Sequence, residues 1–214
     1  MTTRRHTILL GLYSRFFLNL YLLFFLCSCG SPYTNHYFPV NNHDQRASSL
    51  GFSIAPPSGV GWYEKINNNS LYYLKKMPSD DYSIYTKATE IHLDDSELEA
   101  DKFLQYVKNN KKLNTASGNY RNVSFHFTHD TALSPHCIRY VQSYDDYGIK
   151  NLKKNEFVRV KNVGLVCMHP ENPQNGIDMF YVESTMQSQG THDQSYKDEG
   201  ESFLHSLKFH LARD

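Results

Sequence analysis

The chain has 214 residues, and its 22 Lys and Arg balance 22 Asp and Glu. That balance provides no basic stripe of the kind that nucleic acid or an anionic lipid surface requires. Aromatic residues are plentiful, with 16 Tyr and 13 Phe, which predicts a core edged with hydrogen-bonded phenols.

The N-terminus has the layout of an export signal. Arg4, Arg5 and Arg15 precede an apolar run from Phe16 to Leu26, and Leu26-Cys27-Ser28-Cys29 closes it. A small residue directly before a cysteine, with leucine three positions before that cysteine, is the bacterial lipobox pattern. Export would lipidate the Cys29 thiol and cleave the chain between Ser28 and Cys29. The competing reading is an uncleaved membrane anchor. Arg15 and Asn19 interrupt it, and a charge near the bilayer centre costs at least ~2.5 kcal/mol. Removing residues 1–28 takes away three arginines and no acid, leaving a net charge of −3. Of the four cysteines, Cys27 leaves with the signal and Cys29 takes the lipid. Cys137 and Cys167 remain in an oxidising compartment and are expected to bond to each other.

Residues Gly30 to Leu50 are rich in Ser, Asn, His and Tyr without an apolar period, and 29–50 is expected to be a flexible tether. The folded unit is expected over 51–214, beginning with the short strand Gly51 to Ile54, which Pro56-Pro57 stops. Trp62-Tyr63 and Ser70 to Lys75 are the next extended pieces, separated by Asn67-Asn68-Asn69. Along Tyr82 to Leu93, Ile84, Thr86, Ala88 and Glu90 share one face, and Tyr85, Lys87, Thr89 and Ile91 the other.

The period then becomes helical. Ser96 and Glu99 form a capping box behind Asp94-Asp95, followed by Ala100, Phe103, Leu104 and Val107 at helical spacing. Strands resume at Arg121 to Thr128, with Val123, Phe125 and Phe127 on one face. Cys137 to Tyr144 follows, and Glu156 to Met168 reads as one strand or two. Asp145-Asp146 before Tyr147-Gly148 reads as a hairpin turn rather than a pair of catalytic acids. Ile177 to Met186 is apolar on both sides and so central. A last helix places Gly200, Phe203, Leu204, Leu207 and Leu211 on one face. Consecutive hairpins with two distant helices imply an α+β fold, a single antiparallel β-sheet covered by two main helices.

Candidate chemistry is sparse. Two Cys and two His, His136, Cys137, Cys167 and His169, would suit zinc. His136 and Cys137 point to opposite sides of one strand, however, and a disulfide is the simpler fate for the cysteines. Glu183, on a central strand, invites a partner such as Arg139 or Arg159. There is no Gly-x-Ser-x-Gly elbow, phosphate loop, His-Glu-x-x-His or dinucleotide fingerprint. No catalytic residue and no cofactor is therefore assigned.

Several segments occur together in a familiar order. They are Gly51-Phe52-Ser53-Ile54-Ala55-Pro56-Pro57 leading to Gly61-Trp62, Gly164-Leu165-Val166-Cys167-Met168-His169-Pro170, Ile177-Asp178-Met179-Phe180-Tyr181, and Glu199-Gly200-Glu201-Ser202-Phe203-Leu204. On these the chain resembles a group of proteobacterial lipoproteins that carries no assigned activity. More distantly it is similar to the Mog1/PsbP-type α/β/α sandwich, which implies helices on both sides of the sheet. The expected function is that of a non-enzymatic envelope lipoprotein, held to the membrane through Cys29, that binds or helps assemble an envelope partner. A small-ligand or metal-binding module facing the periplasm is the alternative. Gly30 after the cysteine implies, by analogy with lipoprotein sorting, the outer membrane.

Overall fold

The computed structural model describes residues 37–67, 69–94, 99–113, 115–150, 152–153, 156–187 and 195–210. The signal, the lipobox with Cys29, Ser96 of the capping box and Leu211 lie outside them. Residues 37–214 form one compact unit. Among the described residues no helix is long and apolar enough to cross a membrane.

Among the described residues, eleven strands and two α-helices follow in the order β1 (Phe38–Pro39), β2 (Arg46–Ala47), β3 (Phe52–Ile54), β4 (Trp62–Asn67), β5 (Ser70–Lys75), β6 (Tyr82–His92), α1 (Ala100–Asn110), β7 (Tyr120–His129), β8 (Cys137–Asp146), β9 (Val158–Met168), β10 (Asn175–Met186), α2 (Lys197–His205) and β11 (Lys208–Phe209). Eight strands form one sheet in the order β1-β4-β5-β6-β10-β9-β8-β7. Every neighbouring pair is antiparallel. The topology is two meanders joined through α1. The first runs outward to inward from β4 to β6. The second starts at the far edge with β7 and returns strand by strand until β10 pairs with β6. This makes β10 central, as its two-sided apolar pattern predicts.

The fold is α+β, but it contains a second sheet that the sequence does not announce. β11, β3 and β2 form a three-stranded sheet, so Phe52–Ile54 pairs with the C-terminal Lys208–Phe209 instead of joining the main sheet. The tether boundary also moves. Phe38–Pro39 pairs with β4, Arg46–Ala47 pairs with β3, and the Arg46 guanidinium bonds Glu64. Backbone pairing, the ion pair and the scattered apolar contacts of Val40 and Leu50 hold this stretch, none of which leaves an apolar period.

The sheet has two differently covered sides. On one, Trp62, Tyr73, Ile84, Leu165, Met179 and Tyr181 pack beneath Phe203 and Leu204 of α2, with Phe52 of the small sheet beside them. Gly200 makes this contact possible, since a Cβ there would stand 2.5 Å from Cγ of the Tyr181 ring. On the other side, Phe103 and Val107 of α1 pack on Leu93, Ile138, Tyr140, Val166 and Met168. Glu99 stands at the N-cap of α1 and makes no side-chain cap, so the helix starts later than the capping box would place it.

Candidate functional site

The residues nominated from sequence fall into separate places. Cys137 and Cys167 lie directly opposite each other on β8 and β9, with Cα atoms 4.1 Å apart and sulfurs at disulfide distance. Both are fully buried. His169 Nδ1 accepts from the backbone N–H groups of Glu171 and Asn172, and its ring meets Phe52 and Phe209 edge-on. His136 is exposed. Among the described residues no group of three or more His, Cys, Asp and Glu is placed to hold a metal ion. The four-residue zinc arrangement is therefore not assembled.

The acids take other partners than the pattern suggested. Glu183 accepts from the Tyr82 hydroxyl, from Ser195 and from the Tyr196 N–H. Arg139 instead grips Glu201, which also accepts from Tyr181, and Arg159 bonds Asp145. Asp145 is not in a turn but near the end of β8, and it is buried. Burial disfavours its charge, but hydrogen bonds from Arg159 and Asn122 outweigh that and hold its carboxyl below the usual range. Asn122 reaches it from a β-bulge at φ 52°, which also breaks the expected alternation of Val123 with Phe125.

Lys75 and Glu199 form the most buried ion pair on the α2 side. Lys75 Nζ lies 2.7 Å from Glu199 Oε2 and 2.6 Å from the Val60 carbonyl, and faces the Tyr196 ring at 4.7 Å. The Trp62 indole N–H donates to the same carboxylate at 2.7 Å. Lys75 Nζ, the Trp62 N–H and Glu199 Oε2 are all engaged inside the fold, which marks a clamp for α2.

The α1 side is different, because α1 covers only one end of it. Beyond the helix, one cross-strand row runs Lys65, Tyr72, Lys87, Phe180, Gly164, Tyr140 and Phe127 through the register of β4, β5, β6, β10, β9, β8 and β7. Tyr85 stands in the next row. The Tyr72 and Tyr85 rings stack, with centroids 5.4 Å apart and planes at 24°. Tyr37 continues the line at 6.0 Å and Phe180 at 6.2 Å. Together they floor an open groove of about 550 Å³ that Asn67 and Ser70 also line. Burial, helped by neighbouring phenols, pushes the Tyr72 hydroxyl up to about 12, so the platform is uncharged at ordinary pH.

A second groove of about 300 Å³ shares Tyr85 and continues over Val182, Val160 and Tyr144 toward Asp80, Asp81 and Asp146. The uncovered face is thus basic at one end and acidic at the other. Between the first groove and α1, Lys111 Nζ pairs with Asp178 and lies 4.5 Å from the Tyr140 ring. Beneath it the Tyr140 hydroxyl, Asn162 Oδ1 and Asp178 Oδ1 are buried. On the α2 side, by contrast, the cavity between the two sheets measures only about 140 Å³, and Ser48 and Glu90 bond each other across its rim.

This platform was not nominated from sequence. Its signal was present in β5 and β6, where Tyr72 and Tyr85 alternate with residues already committed to the other face. No family model and no curated protein sequence matches the chain. Among solved structures it is distantly similar to the Ran-binding protein Mog1p of Saccharomyces cerevisiae, with 8% identity and a TM-score of 0.40 over 78% of this chain and 96% of that one. It is also similar to a mutant form of the protein Mog1, with 8% identity and a TM-score of 0.43 over 79% and 96% of the respective chains. A likeness this distant concerns the coarse arrangement of strands and carries nothing about residues or activity.

Proposed function

We propose that the chain is a bacterial envelope lipoprotein, attached through a lipid on Cys29, whose folded unit holds an envelope component on the uncovered side of its sheet without catalysing a reaction. One observation carries this reading: four contiguous aromatic rings floor a groove on the side of the sheet that α1 leaves bare. Contiguous apolar surface of this kind marks interaction sites. The lipobox supplies the compartment, and Gly30 after the cysteine favours the outer membrane, facing the periplasm.

The second reading, a small-ligand module, is favoured by the concavity of the same surface, whose volume lies within the range of ligand sites. Two experiments test the proposal. Globomycin should cause a heavier precursor to accumulate, and an unchanged mass removes the lipid anchor. A photo-crosslinking residue in place of Lys87 should capture one reproducible envelope component in cells. Failure to capture any, with the protein folded and abundant, removes the docking role.

A further inference from the structure

We infer that the groove over Tyr37, Tyr72, Tyr85 and Phe180 binds an acidic saccharide, with the rings stacking on the sugar and Lys87 meeting its carboxylate. This rests on the proposed use of the uncovered face and names the chemistry of its occupant.

The rings set the first requirement. An aromatic face carries the negative lobe of the ring quadrupole. The C–H groups on one side of a pyranose are its natural complement, because neighbouring oxygens leave those hydrogens electron-poor. The Tyr72 and Tyr85 rings, at 5.4 Å and 24°, overlap in an offset stack, and the part of each face left beyond that overlap is the surface they offer a sugar. Both phenols stay protonated at ordinary pH, and among the described residues neither hydroxyl is engaged in a hydrogen bond. Asn67 and Ser70, also unengaged, add an amide and a hydroxyl to its lining. A saccharide needs this mixture of flat apolar floor and polar rim.

Charge sets the second requirement. Lys87 sits in register between Tyr72 and Phe180 and forms no ion pair among the described residues. Lys65 lies over Tyr37 at 6.0 Å. No carboxylate lines this groove, so an anion entering it meets the Lys87 ammonium without repulsion from a lining acid.

Backbone geometry argues against a peptide. A peptide that binds by strand addition needs an unpaired sheet edge. β5 and β6 are each flanked by strands on both sides, so the groove floor has no free backbone donors to offer.

The test uses the full-length protein in detergent micelles, titrated calorimetrically with trigalacturonate and with neutral maltotriose. Trigalacturonate should bind, and Lys87→Gln should weaken it about five- to tenfold while leaving maltotriose affinity unchanged. Tyr72→Ala should weaken both sugars about tenfold or more. Unchanged urea midpoints must accompany both variants, and Lys208→Gln, on the small sheet, should alter nothing. Equal binding of both sugars with no effect of Lys87→Gln overturns the acidic part. Absence of any sugar binding up to about 10 mM overturns the whole. So does tighter binding of hexaglutamate through the same residues. If sugars fail while the photo-crosslink at position 87 still captures an envelope component, the docking role stands and only the saccharide falls. If both fail, both fall.

Discussion

Replacing Cys137 and Cys167 together by alanine removes the covalent tie between β8 and β9, and the size of the effect follows from where that tie sits. The two residues are in direct register and separated by 30 residues of chain. The ladder from Cys137–Cys167 to Asp146–Val158 already holds them together in the native state, so the bond's main effect is to restrict the unfolded chain. For a loop of about 30 residues the chain-entropy relation gives roughly 3.7 kcal/mol at 25 °C. Both side chains are fully buried, and loss of two sulfurs from the core adds about 1 kcal/mol. The expected destabilisation is therefore about 4–5 kcal/mol, a large fraction of the ~5–15 kcal/mol that holds a domain folded. With a urea m-value of about 2 kcal/mol/M, the midpoint should fall by roughly 2 M. Circular dichroism in urea under non-reducing conditions measures it. Burial makes a second demand. Dithiothreitol should reduce the native protein only through opening, and so far more slowly than it reduces the same protein unfolded in urea. A loss below about 1 kcal/mol, or equal reduction rates for folded and unfolded protein, would refute the reasoning.

Three further outcomes follow from the packing of the α2 side and from the buried tyrosines of both sides. Gly200→Ala should destabilise by about 1–2 kcal/mol, because overpacking against the sealed Tyr181 ring exceeds the ~1 kcal/mol gain in helix propensity; stabilisation in urea melts would contradict the contact. Lys75→Ala should cost about 3 kcal/mol, at the low end for a broken buried pair because Glu199 keeps the Trp62 N–H, whereas Lys75→Met with Glu199→Gln should recover most of it. A double-mutant cycle showing no coupling would remove the clamp. At alkaline pH, burial holds Tyr72 and Tyr144 up to about 12 and Tyr73, Tyr82, Tyr140 and Tyr181 higher still, against about 10 in the unfolded chain. The folded state therefore retains protons that the unfolded state releases. Stability should be level below about pH 10 and fall steeply above it, with tyrosinate absorbance appearing together with loss of structure. Free ionisation of all tyrosines near pH 10 in a folded protein would contradict this.

The main elements were legible where one physical signal dominated. Two helical periods gave α1 and α2, long β-branched and aromatic runs gave β6, β8, β9 and β10, and the cysteine count gave the Cys137–Cys167 pair. Legibility failed where two local signals were the same or where none existed. Phe38 and Arg46 join sheets through backbone pairing, with Arg46 also bonding Glu64 far along the chain, which a polar, proline-containing stretch does not advertise. Asp145-Asp146 before a Tyr-Gly pair has turn chemistry, yet Arg159 and Asn122 draw Asp145 into β8. Glu183 finds a phenol on β6 and hydroxyl and amide donors on α2's approach rather than an arginine, and those donors lie more than ten residues away. The groove was hidden for a subtler reason. In β5 both faces are aromatic, Tyr72 on one and Tyr73 on the other, so alternation shows two apolar faces without showing which one a helix covers.

The same alternation explains why the groove is rigid enough to bind anything. Tyr72 is followed by fully buried Tyr73, Tyr85 lies between fully buried Ile84 and Thr86, and Phe180 lies between fully buried Met179 and Tyr181. These three of the four groove rings therefore share their backbone with residues sealed on the α2 side, whereas Tyr37 is exposed. Glu199 ties α2 to Lys75 of β5, and Glu201 ties it to Arg139 of β8 and Tyr181 of β10. A ring on the open side cannot shift along or across the sheet without disturbing the core on the closed side, where packing at crystal-like density resists such movement. The floor is thus ordered before any partner arrives, and association has less conformational freedom to freeze out. This division of labour gives a physical reason for the uneven covering of the sheet. Carboxylates from α2 consolidate one face, and the immobility they impose is passed through the strands to aromatic rings that the other face leaves open.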